Sequence, residues 1–154
     1  MAVQIFDNNT AGAPALSNAA GSLITLLDFL LVTTLGWTKP FTGTNKAAYK
    51  QPAGTNGFYL RVVDTGTTAA SPTGRGFETM TDVDTGTGPF PTVAQVSGDG
   101  VPLRKGDTTN NQWRCVTDGK IVYFGARESS FGVWVWWAFG DFISALATDS
   151  YNTC

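Results

Sequence analysis

Chemistry needs side chains that ionise, attack or hold metal at a workable spacing, and this chain carries few of them. It has no histidine, which removes Ser-His-Asp and Cys-His catalysis, histidine-ligated zinc and the commonest proton carrier near neutral pH. Two cysteines, Cys115 and Cys154, cannot build a four-cysteine zinc or iron-sulfur site. Cys115 lies in "QWRCVTD" and reads as a buried, inert thiol. Cys154 reads as accessible and is a candidate contact residue; one internal bridge, a link to a neighbouring chain, or neither all fit two cysteines.

Paired carboxylates are the remaining route to catalysis. The only glutamates are Glu78 and Glu128, with Asp64, Asp82, Asp84, Asp141 and Asp149 as companions, and glycoside hydrolysis would need two of these to face one pocket. Their scatter through turn-like segments suits caps and solvated charges instead. "TDVDTGTG" resembles the opening of a calcium loop, but an EF-hand would need a side-chain ligand where Gly86 falls and a glutamate where Val93 falls. It reads as a turn leaving a strand. "GTGPFP" fails the GxGxxG pattern and its prolines block a helix start. No catalytic residue, cofactor site or metal site is expected, and the chain is read as non-enzymatic.

The residues that do concentrate are aromatic. "GVWVWWAFGDF", residues 132–142, holds three of the five tryptophans. As a strand it turns Trp134, Trp136 and Ala138 one way and Val133, Val135, Trp137 and Phe139 the other. Both faces are apolar, so the strand is core on both sides, or covered on one side by a partner chain, or a stacking platform for a ligand. A platform needs polar groups beside the rings, and only Ser129, Ser130 and Asp141 lie close in sequence.

Around these residues the texture is that of a β-rich domain with one helix. "AGAPALSNAAGSLITLLDFLLVTTLGW" turns at Pro14 and enters a helix over about 18–35, with Ser17, Asn18 and Ser22 as candidate N-caps and Gly36 as its stop. Ala20, Leu23, Ile24, Leu27 and Leu31 make one face, and Leu26, Phe29 and Leu30 carry the apolar surface round the side. So little polarity requires enclosure. Strands are expected at 37–41, 47–50, 58–63, 77–81, 113–117, 121–126 and 133–142, with Asp118-Gly119 turning a hairpin. "SGDGVPLRKGDTTNNQ" reads as a long exposed loop. The expected fold is α+β, mainly β: a buried N-terminal helix packed on an antiparallel sheet or sandwich of about six to eight short strands. Residues 1–15 are expected as an extended N-terminal arm, and 16–154 as a single compact β-rich domain.

Composition narrows the partners. Charged residues are 14% of 154, and the net charge is −2 with no basic run, against roughly a quarter charged in an average soluble protein. Nucleic-acid binding needs a clustered positive patch and is not expected. The apolar run 23–35 contains Asp28 and is too short to cross a bilayer, and no secretory signal pattern opens the chain, so a membrane partner is not expected and synthesis in a cytoplasm is. Low charge with high aromatic content suits a surface that faces other protein. Val3, Ile5 and Phe6 on the arm join Trp134, Trp136, Trp137 and Cys154 as candidate interface residues.

Six phrases in order, "AGSLITLLDFLL", "GWTKPFTGTNKAAYKQP", "GFYLRVVD", "GFETMTDVDTGTGPFPT", "WRCVTDGKIVYF" and "FGDFISALATDSYN", give the chain a resemblance to small virion structural proteins of tailed bacteriophages, covering about residues 14–152. The resemblance implies a non-enzymatic particle component, assembled in the host cytoplasm and located in the virion. Its partners would be further copies of itself and other virion proteins such as the major capsid protein. Capsid decoration, cementing subunit junctions, is the leading expectation. A tail, neck or baseplate accessory is the alternative, as is a carbohydrate-binding host-attachment module stacking sugars on Trp134, Trp136 or Trp137.

Overall fold

The computed structural model describes residues 2–128 and 132–141, with only the backbone at Glu128. Among these residues the chain is mainly β, with one helical segment and ten strands in two antiparallel sheets, more strands than the six to eight expected. The first sheet runs in the order β1 (Gln4–Asp7), β8 (Trp113–Thr117), β9 (Ile121–Glu128), β10 (Val133–Gly140). The second runs β2 (Thr38–Gly43), β3 (Lys46–Lys50), β4 (Tyr59–Val63), β5 (Thr73–Asp82), β6 (Thr85–Phe90), with the short β7 (Val101–Pro102) also on β5. Of the segment expected as an arm, Gln4–Asp7 is extended and pairs with β8 of its own chain.

Inner faces of both sheets share a core with the helical segment: Leu60, Val62 and Tyr49 from the second sheet, Trp113, Cys115, Phe124 and Phe139 from the first, and Leu23, Leu26, Leu27, Leu30 and Leu31 from the helix. Aromatic rings join the sheets, with Phe90 of β6 stacked on Phe139 of β10 at 5.9 Å and Trp37 against Phe139 at 5.9 Å. Gly76 leaves room for this packing, since a Cβ there would sit 2.0 Å from the Phe90 ring. Burying each large side chain contributes about 1.5–3 kcal/mol.

The helix is shorter than expected and changes pitch. An α-helix, α1, spans Ser22–Leu27, and Asp28–Thr34 continues it as a π-helix. The Leu35 N–H donates to the Leu30 carbonyl, five residues back. Val32, Thr33 and Thr34 are β-branched and crowd an α-helical turn, and the Thr33 and Thr34 hydroxyls take the Asp28 and Phe29 carbonyls. Gly36 (φ +73°) ends the run as expected. The start departs from expectation too: Gly21 is the N-cap residue, and none of Ser17, Asn18 or Ser22 caps α1. The Asp64 carboxylate accepts the Leu23 N–H at 2.9 Å instead, and the Asp64 carbonyl accepts the Gly21 N–H. A residue at the end of β4 therefore does the work of the cap.

Residues 97–112, expected as an exposed loop, are exposed toward both ends but turn inward in the middle. Leu103 and Lys105 are buried, and Val101–Pro102 pairs with β5. Leu103 fills the space over Gly74, and Lys105 pairs with Asp64. "TDVDTGTG" is the turn between β5 and β6, with Thr85–Phe90 as a strand that the sequence reading did not include.

Candidate functional site

Register decides which side chains of the first sheet share a face. Ile5 pairs with Val116, Val116 with Tyr123, and Tyr123 with Ala138; Arg114 pairs with Gly125, and Gly125 with Trp136; Arg127 pairs with Trp134. Since side chains alternate along each strand, Ile5, Val116, Arg114, Tyr123, Gly125, Arg127, Trp134 and Trp136 lie on one face. The opposite parity, Phe6, Cys115, Phe124, Trp137 and Phe139, enters or packs on the core.

The expected interface residues divide between the two faces. Phe6 and Trp137 belong to the inner face, where Trp137 packs on Phe124 at 5.3 Å. Val3, Ile5, Trp134 and Trp136 are exposed on 67, 66, 39 and 48% of their surface. The fold thus gathers residues more than a hundred positions apart onto one apolar side. Tyr123 is exposed there too, and Val116 and Ile121 are half-buried beside it. Cys154, Ser129, Ser130 and Asp149 lie outside the described residues.

Two regions differ on this face. Over β1, β8 and β9, Val3, Val116, Ile121 and Tyr123, with Thr117 and Asp118 at the rim, line a shallow hollow of about 140 Å³. The Asp118 carboxylate accepts the N–H groups of Ile121 and Lys120, which hold its pKa below the usual carboxylate range. This bond fixes the β8–β9 hairpin at the hollow's edge. Over β9 and β10, Trp134 and Trp136 stack on each other, ring centroids 5.8 Å apart and planes 26° from parallel. Trp136 covers Gly125 so closely that a Cβ there would meet the ring at 2.6 Å. Arg127 and Arg114 stand beside the rings by register. Nothing in the local sequence of the tryptophans points to these two arginines, because cross-strand pairing alone brings them there.

The carboxylates considered for catalysis are dispersed. Asp64 is buried with Lys105. Asp84 accepts from Lys46 and Arg61, and Asp141 accepts from Gln51 and the Asn56 N–H. Glu78 is exposed on β5, and Asp82 accepts the Asp84 N–H in the β5–β6 turn. Among the described residues no group of three or more acidic or cysteine side chains is placed to hold a metal ion. Among the described residues no helix is long and apolar enough to cross a membrane. Compared with protein-family models, curated proteins and solved structures, the chain finds no match.

Proposed function

We propose that this chain is a structural component of a bacteriophage virion that decorates and cements the capsid, binding further copies of itself and the major capsid protein without performing catalysis. The observation that carries this reading is the apolar strip across three strands in which Val3, Ile5 and Tyr123 are exposed and Val116 and Ile121 half-buried. Contiguous apolar surface on a chain this poor in charge suits contact with other protein. The ordered sequence resemblance to virion proteins supplies the biological setting.

The physical mechanism is burial at subunit junctions. Each Å² of apolar surface removed from water contributes about 25 cal/mol, and repetition over a shell multiplies a small junction energy. Ile5→Asp tests the reading, because two-thirds exposure makes the change near neutral for folding while placing a charge in the contact. The variant is expected to fold as wild type and to leave particles. Its recovery in virions at the wild-type copy number would overturn the assignment. Copies per particle also separate head from tail: hundreds mark a capsid position, a few to dozens mark a tail, neck or baseplate accessory.

A further inference from the structure

We propose that Trp134 and Trp136, with Arg127 and Arg114 beside them, form a binding platform for an acidic oligosaccharide. This goes beyond the assembly role and rests on a different part of the face. The hollow lined by Val3 spans β1, β8 and β9, whereas the tryptophans lie on β10, the edge strand beyond it.

The platform is built by three features of the sheet. First, the two indoles are neighbours on one strand and stack on each other, 5.8 Å between centroids and 26° between planes, so together they form one aromatic block, each ring partly open to solvent. Second, the residue opposite Trp136 is Gly125. With no side chain there, the indole sits directly over the β9 backbone and still keeps 48% of its surface exposed. Third, the polar groups that local sequence did not supply arrive from the neighbouring strands. Arg127 is the register partner of Trp134, and Arg114 is the partner of Gly125.

The two guanidinium groups are held differently. Arg127 Nη1 donates to Gln112 Oε1 at 2.9 Å, and the Arg127 N–H donates to the Gln112 carbonyl, so side chain and backbone are held by one residue. Arg127 Nε is buried and has no hydrogen-bond partner. Arg114 is exposed and makes no ion pair among the described residues. Among the described side chains Asp7, paired with Arg114 in the ladder, is the acidic one nearest in register, against two arginines, on a chain whose net charge is negative.

Ligand classes separate on that charge. Indole faces attract cations, but two guanidinium groups repel them. A single-stranded nucleic acid would stack on the rings, yet it also needs a basic groove along its backbone, and two arginines on a chain of charge −2 do not make one. A pyranose lays its C–H face on an indole, and an attached carboxylate accepts charge-assisted hydrogen bonds from a guanidinium. Rigid rings with a few fixed polar groups at the rim are the general form of such a site.

The test uses the full chain, tetragalacturonate and the methyl ester of the same tetrasaccharide, which share the sugar backbone while the ester carries no carboxylate charge. Calorimetry measures affinity, and indole N–H shifts in NMR spectra locate the site. The acid is expected to bind about tenfold or more tighter than the ester, shifting the Trp134 and Trp136 signals. Trp136→Ala should abolish binding, and Arg127→Gln and Arg114→Gln should each bring the acid down toward the ester. Arg114 is exposed, so that variant keeps the test valid if Trp136→Ala fails to fold. Equal binding of acid and ester, no binding of either at millimolar concentration, shifts confined to other tryptophans, or tighter binding of an oligothymidylate would each overturn the proposal. Assembly is read separately by Ile5→Asp, so either idea can fail alone.

Discussion

Lys105 and Asp64 close an ion pair in which neither side chain has accessible surface, across 41 residues of sequence. The ammonium also donates to the Ala19 and Gly66 carbonyls, using all three of its donors. Asp64 in turn receives the Leu23 N–H. Burial pushes the Asp64 carboxyl above its usual range, and Lys105 and the Leu23 N–H pull it back. One buried pair therefore fastens the start of α1, the end of β4 and the segment after β7.

Breaking this pair from one side leaves a charge buried without a partner, which costs about 3–5 kcal/mol. Lys105→Met is expected to lower stability by that amount in urea unfolding. The double variant Lys105→Met, Asp64→Leu should be the more stable of the two, because neither charge is then stranded. A double variant less stable than Lys105→Met alone would contradict this account.

Leu27 is wholly buried in the helical face. Leu27→Ala should cost about 2–5 kcal/mol through lost contact and the cavity left behind. Leu27→Asp should remove cooperative unfolding and the near-ultraviolet circular dichroism of the packed aromatics, since a carboxylate there has no partner.

Asp84 supplies an acid-sensitive contribution. Lys46 and then Arg61 hold its carboxyl below the usual carboxylate range. A group whose folded pKa is depressed stabilises the fold above its unfolded pKa, and that stability is lost as pH falls through the folded value. The urea midpoint of wild type should exceed that of Asp84→Asn at about pH 6, and the gap should close below about pH 4. A gap that persists at the acid end would show that the carboxylate charge is not what ties Arg61 and Lys46 together.

Cys115 should be chemically silent in the folded protein. Burial pushes its thiol up to about 12, so almost no thiolate exists near neutral pH, and the thiolate is the reactive form. In a Cys154→Ser background, a chromogenic disulfide reagent should release no colour from the native chain and the full single equivalent in guanidinium chloride. Rapid native reaction would contradict the burial.

Much of the fold was legible because it follows from short-range pattern. The β8–β9 hairpin with its Asp118-Gly119 turn, the apolar helix and the extended Trp strand each announce themselves within about a dozen residues, where alternation, turn chemistry and helical spacing act. Boundaries slipped where neighbours intervened. Asp64 displaced the serine and asparagine caps, and Lys105 drew a polar segment inward that its own composition marked as exposed.

The candidate site divides the same way. Sequence alone determined that the chain lacks histidine chemistry, concentrates indoles on one strand, and alternates them so that Trp137 must oppose Trp134 and Trp136. Only tertiary structure decided which side faces water, because that depends on Phe124 and Phe139 meeting the helix and second sheet beneath. It also decided that Val3 and Ile5 share the tryptophans' face and that Arg127 and Arg114 stand beside the rings. The physical reason is register: a one-residue slip between strands would send every one of these side chains to the other face, and register is set by the buried core as a whole.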